Sequence, residues 1–174
     1  MKKRYILLLM MAFLLLLGCN EEITGIVVDA ETGQPIEGAV VLVEWTKTSG
    51  IGLRATESYK VFEALTDAEG KVKIEGMTDL FVNDPHVSVY RKGYVLWNNE
   101  YIFPGWGKRT DFNWENNYFF KLSKFKPEYK FHDHLLFIHS STHAGIAAEK
   151  KQLMDSAYRW EGLKYVEESK KLNE

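Results

Sequence analysis

The sequence predicts a mainly β protein, an antiparallel sandwich of short strands followed by a helical C-terminal extension. Three observations predict it. Apolar residues recur with a period of two from Ile23 to Leu122, the spacing that puts alternate side chains on one face of a strand. Clusters of Gly, Pro, Asp and Thr separate these runs, as tight turns require. After Thr142 the composition turns to Ala, Lys, Glu and Leu with apolar residues at helical spacing. The chain has 174 residues, 45% hydrophobic and 26% charged, which suits one folded domain and excludes a disordered or coiled-coil chain.

Residues 1–18 read as an address. Lys2, Lys3 and Arg4 precede the uncharged run Tyr5–Leu17, which is too short to cross a bilayer as a helix and fits a secretory signal. The single cysteine excludes an internal disulfide and any CxxC motif, and it stands at the end of this run, in Leu16-Leu17-Gly18-Cys19. These residues resemble the lipobox of bacterial lipoproteins, with Leu17 departing from the small residue usual before the glycine. The resemblance implies a diacylglycerol on the Cys19 sulfur, removal of residues 1–18 and further acylation (palmitate or a similar chain) at the new N-terminus. Two or more acyl chains make a stable membrane anchor. Asn20 in place of aspartate favours the outer membrane over the inner one. Cleavage removes three basic residues and leaves 19 Lys+Arg against 24 Asp+Glu, a net charge of −5 that argues against a nucleic-acid partner. Residues 19–22 form a tether that reaches about 14 Å when extended, so the domain is expected to lie against its membrane.

Ile23–Asp29 is β-branched and ends in the turn cluster Ala30–Pro35. Ala39–Trp45 alternates Ala39, Val41, Val43 and Trp45 on one face, and Tyr59–Thr66 is the third strand candidate. Asp67-Ala68-Glu69-Gly70 reads as a turn whose glycine supplies a positive φ. Lys71–Glu75 follows with Val72 and Ile74 inward, and His86–Arg91 and Tyr118–Leu122 repeat the alternation.

Gly25-x-Val27-x-Asp29-x-x-Thr32-Gly33-x-Pro35-Ile36-x-Gly38-Ala39-x-Val41, then Thr66-Asp67-x-x-Gly70-x-Val72-x-Ile74, then Lys92-Gly93-Tyr94, resemble the carboxypeptidase regulatory-like domain. That resemblance implies a transthyretin-like, seven-stranded β-sandwich over residues 23–124, used as an accessory module and not as a catalyst. Thr46–Ser58 departs from the family as a longer polar insertion. The resemblance itself covers roughly residues 23–97; residues 98–174 have no counterpart in the minimal module, and of these 125–174 read as a connecting segment with one or more helices.

Of 24 aromatic residues, 15 fall between Tyr90 and Phe137, and within that stretch Gly93–Asn117 has no sustained period. A long aperiodic segment in a small domain is commonly functional. Trp97, Asn98, Asn99, Tyr101, Trp106 and Trp114 are its candidate surface residues. Exposed rings there would anchor a protein partner or, beside amides, stack on a glycan; alternatively they plug the end of the sandwich while the asparagines cap turns.

Phe131–His143 holds His132, His134, His139 and His143, candidates for a metal site that would use two residues on a strand face or two on a helix face. Ser140 or Ser141 with Asp133 and a histidine lacks the GxSxG elbow, and neither HxxE nor HExxH occurs. No catalytic residue and no cofactor is assigned. In the C-terminal segment Ser141 or Thr142 is expected to cap a helix, Leu153, Ala157 and Trp160 to form its apolar stripe, and Gly162 to break or bend it. The sequence therefore predicts a lipid-anchored, non-enzymatic envelope protein that binds or scaffolds through its aromatic segment, with metal binding as the second reading and glycan binding as the third.

Overall fold

A computed structural model describes residues 22–50, 54–77, 79, 81–142 and 150–171. The signal segment, Cys19 and His143 lie outside the described residues.

The chain is mainly β with a helical C-terminal region. Its strands are β1 (Ile23–Asp29), β2 (Val40–Ser49), β3 (Ala55–Leu65), β4 (Lys71–Ile74), β5 (His86–Tyr90), β6 (Trp97–Asn98), β7 (Tyr101–Ile102), β8 (Gly107–Lys108) and β9 (Tyr118–Leu122). Two helices follow, α1 (Phe131–Ser141) and α2 (Gln152–Lys171). One sheet has the order β4-β1-β9, a second β3-β2-β5-β6, and β7 and β8 form a small hairpin of their own.

Most pairs are antiparallel, as expected, but β1 and β9 run parallel, with Gly25 opposite Tyr118 and Asp29 opposite Leu122. A parallel neighbour cannot be reached by a tight turn. Here the whole chain from β2 to β8 intervenes, and β9 returns to the free side of β1 from the end at which β1 began.

Side chains of both sheets meet in one core: Val27, Val72, Ile74, Phe120 and Leu122 from the first, Val41, Val43, Trp45, Val87, Val89 and Trp97 from the second. The other face of the second sheet is covered as well. Val40, Leu42 and Tyr90 pack there with Val95, Leu96, Phe103, Phe137, Ile138 and Met154, which brings both helices onto the sheet. Strand β2 is thus buried on both faces over Val40–Thr46, the physical reason that its sequence is a continuous apolar run broken only by Glu44.

Four expectations change. The polar stretch Thr46–Ser58 lengthens the β2–β3 hairpin, with Thr46 opposite Ser58 and Ser49 opposite Ala55 beyond a bulge at Trp45/Thr46. Thr46 at the bulge is buried, and Thr48, Ser49, Thr56 and Glu57 beyond it are exposed. Ser141 and Thr142 end a helix and do not begin one: the Thr142 backbone N–H and hydroxyl both donate to the Ile138 carbonyl. Gly162 lies inside an unbroken α2. The buried stripe of α2 runs through Met154 and Glu161, flanked by Ala157 and Tyr158, one position away from Leu153 and Trp160.

The first-turn motif has a clear mechanical role. Asp29 Oδ1 accepts the backbone N–H groups of Glu31 and Thr32 at 2.9 and 2.8 Å, and its Oδ2 accepts the Tyr94 hydroxyl at 3.0 Å. The Thr32 N–H first, with the Glu31 N–H and the Tyr94 hydroxyl, outweighs burial and lowers the carboxyl from 3.8 to about 2. A carboxyl more acidic when folded stabilises the fold above its unfolded value, and that contribution is lost as pH falls through the folded value. The stability gap between wild type and Asp29→Asn is therefore expected to be constant above about pH 5 and to close between about pH 4 and pH 2; urea titrations across that range check it.

Candidate functional site

The aromatic segment divides into a buried part and an outward one. Trp97 is 4% exposed and Asn98 1% exposed, so neither belongs to a binding surface. Trp97 packs edge-on against Phe112 and Phe120 with centroids at 5.5 and 4.9 Å, lies 5.9 Å from Tyr118, and has the Arg109 guanidinium 4.6 Å above its ring. Three rings from β9 and the preceding loop enclose it, which is the end-plugging alternative. Trp114 is half-buried edge-on against Trp45 at 6.4 Å.

The asparagines cap backbone, as their short amides allow. Asn98 Oδ1 accepts the Glu100 and Tyr101 N–H groups at 2.8 and 3.0 Å, while its Nδ2 donates to Ser88 Oγ at 3.2 Å. Asn99 Oδ1 accepts the Val87 N–H at 2.8 Å, and its Nδ2 donates to the Pro85 carbonyl at 2.9 Å. Asn116 Oδ1 accepts the Thr24 N–H at 2.8 Å. With these amides occupied, the ring-plus-amide pattern that would suit a glycan does not form at Asn98 and Asn99.

What remains outward is the β7–β8 hairpin. Tyr101 is 41% and Trp106 44% exposed, and their rings meet edge to face at 6.1 Å. Ile102, which the sequence reading did not single out, is exposed beside them. The hairpin is rigidly seated. Arg109 N–H donates to the Glu100 carbonyl and Arg109 Nε to the Asn98 carbonyl, both at 2.7 Å. Phe103 is buried against Tyr129, His134 and Phe137 at centroid distances of 5.0–5.6 Å, and Trp106 leans on Phe137 at 4.9 Å. Trp106 also holds φ at 54°, a conformation that costs a non-glycine residue about 1–2 kcal/mol. Its ring is aimed outward by a backbone that a flexible loop would not adopt unaided.

The described histidines of this cluster, His132, His134 and His139, do not converge. Successive helix positions turn by about 100° and rise by about 1.5 Å, so His132 and His139 share the exposed side of α1 but stand two turns, about 10 Å, apart, while His134 leaves the helix toward the core. His132 is exposed, 3.2 Å from Asp133, and His139 is exposed against Tyr158. Among the described residues no group of three or more His, Cys, Asp or Glu side chains is placed to hold a metal.

His134 instead belongs to a buried network outside the expected site. Its Nε2 accepts the Leu96 N–H at 2.9 Å, which places the ring proton on Nδ1, 2.7 Å from Glu161 Oε2. Glu161 Oε1 accepts the Tyr90 hydroxyl at 2.6 Å, and Trp160 Nε1 donates to that hydroxyl at 2.7 Å. Burial first, then the Glu161 charge, pushes the Tyr90 phenol far above its usual range, so it stays a donor. A second carboxylate docks α2: Glu63 on β3 accepts the Leu153 and Met154 N–H groups at 3.0 and 2.9 Å. It takes the place of a local cap at a helix start that attracts negative charge. The one sequence signal for Glu161 is its place seven residues after Met154, on the same helix face.

No family model and no curated protein matches this chain. Among solved structures it is similar to a 9R-lipoxygenase from Cyanothece PCC8801, at a TM-score of 0.31 and 17% identity over 63% of this chain and 18% of that one. The chain spans less than a fifth of that protein, and a likeness at this level bears on neither fold family nor activity. No helix among the described residues is long and apolar enough to cross a membrane.

Proposed function

We propose that this chain is a lipid-anchored envelope protein with a non-enzymatic binding or scaffolding role, and that the β7–β8 hairpin is its contact point. The observation that carries the binding role is the pairing of Tyr101, Ile102 and Trp106 on a hairpin tied down at both ends, with Trp106 held at φ 54°. Rigid aromatic groups lose little entropy on binding, which is why they dominate interface hot spots. A protein partner suits this hairpin better than a glycan, because Asn98 and Asn99 are engaged in the fold. The lipid anchor rests on Leu16–Cys19, the outer membrane on Asn20.

The seven strands of the two larger sheets also support the transthyretin-like sandwich of a carboxypeptidase regulatory-like domain. Two residues of the second motif hold its turns. Thr66 Oγ1 accepts the Ala39 N–H at 2.9 Å and donates to the Ile36 carbonyl at 2.6 Å, and Asp67 Oδ1 accepts the Lys71 N–H at 2.7 Å.

A photo-crosslinking residue placed at Tyr101 in the full chain, produced in its native cells, tests the contact. Discrete crosslinked protein species are expected at Tyr101 and are expected to vanish with Trp106→Ala, while the same probe at exposed Phe119 yields none. Equal yields at the two positions would overturn the hairpin as the contact.

A further inference from the structure

We infer that the end of the β-domain at which the chain enters β1 is the face that rests on the membrane, with Phe81 seated in the lipid interface. This rests on the proposed lipid on Cys19.

Strand directions place several features at that end. β1 starts there at Ile23, opposite Ile74, the last residue of β4. β5 also starts there, with His86 opposite Glu44, so the loop from Glu75 to Pro85 spans this end of the two sheets. Only residues 20–22 separate Cys19 from Ile23, a reach of about 14 Å. An acylated Cys19 therefore holds this end, and not the opposite one at Asp29 and Gly70, close to the bilayer.

On the loop, Phe81 is 82% exposed. The loop that carries it is fastened to the sheets. Glu75 pairs with Lys60 at 2.9 Å, Asp79 pairs with Lys47, and Asn83 N–H donates to the Thr46 carbonyl at 2.9 Å. Asp79 Oδ1 accepts the Phe81 N–H at 3.1 Å, while Met77 and Val82 turn inward onto the core. Among its described residues the segment thus folds Met77 and Val82 onto the core and leaves the Phe81 ring exposed at the end of the domain. An aromatic ring is at home at the boundary of headgroups and acyl chains. Lys47, Lys60 and Lys73 at this end are each paired with a carboxylate, so the contact inferred is the apolar ring and not these cations.

The test uses full-length acylated chain in phosphatidylcholine vesicles with or without bromine on the upper acyl carbons, and a mass measurement of the Cys19 peptide. Phe81→Trp adds an emission that is expected to be lost on the brominated vesicles, relative to the wild-type background. A tryptophan at exposed Leu163, on α2, is expected to emit equally on both. An acylated Cys19 with unquenched Phe81→Trp emission overturns this orientation and leaves the anchor standing; quenching at Leu163→Trp in its place overturns it in favour of the helix face. A Cys19 peptide without lipid overturns the anchor and the inference together.

Discussion

Glu161→Ala is expected to lower stability by about 3–5 kcal/mol, seen as a fall in the urea midpoint, because it leaves a buried ionic network without its centre. Glu161 is fully buried on α2, and its two oxygens serve His134 of α1 and Tyr90 of β5 at 2.7 and 2.6 Å. Truncation strands a buried N–H and a buried hydroxyl, each costing about 1–3 kcal/mol when left unpaired. Neither can turn elsewhere: His134 Nε2 is taken by the Leu96 N–H, and the Tyr90 oxygen already accepts from Trp160 Nε1. Glu161→Gln is expected to fall between wild type and alanine. Its amide oxygen accepts from one partner, but its NH2 faces the other donor. Glu161→Leu combined with His134→Leu is expected to recover little of the loss, since the Tyr90 hydroxyl and the Leu96 N–H are then left without their acceptors. A Glu161→Ala midpoint within the ±0.5 kcal/mol typical of surface changes would show that the network does not hold the helices to the sheet.

Why the strands were legible and this network was not is a matter of range. β1 and Tyr118–Leu122 follow from local alternation, because each has one apolar face and the period alone reports it. The turn at Asp67–Gly70 is equally local. Glu161 takes its environment from partners 27 and 71 residues away, and a glutamate on a charged helix reads as solvated until those partners are placed. Trp97 fails in the same way. Beside Asn98 and Asn99 it resembles a ligand platform, yet Phe112, Tyr118 and Phe120 close over it from later in the chain. In α1 the histidine spacing fitted either a strand face or a helix face, and the helix start offers no local cue, since Lys130 caps without a side-chain bond. Gly162 costs α2 about 1 kcal/mol relative to alanine, an amount that the docked residues Met154 and Glu161 override. Within the candidate surface, Tyr101 and Trp106 were visible as aromatics, but that they alone of the six project from one hairpin depends on where Asn98 and Phe103 anchor it.

Gly70→Ala is expected to cost more than 3 kcal/mol and Gly33→Ala only about 1 kcal/mol, although both positions have positive φ. The φ values are close, 72° and 70°, so the intrinsic penalty for placing an L-residue there is shared. The surroundings differ. A Cβ on Gly33 meets nothing within 4 Å, whereas one on Gly70 would stand 2.4 Å from the Val27 carbonyl oxygen and 3.1 Å from Pro35 Cβ. That carbonyl cannot retreat freely, because it accepts the Ile36 N–H at 2.9 Å while the Val27 N–H donates to the Gly70 carbonyl at 2.7 Å. Gly70 is where the β3–β4 turn, β1 and the Pro35–Ile36 turn touch backbone to backbone, so relief of the clash breaks at least one hydrogen bond of β1 with its neighbours. The pair of variants separates conformational strain from steric contact in a single set of urea unfolding curves. Equal losses would mean that β1 yields at Val27 and that the glycine serves only its φ. A Gly70→Ala loss several times that of Gly33→Ala would mean that the missing side chain is the requirement, and that the second motif closes the end of the β-domain opposite Ile23.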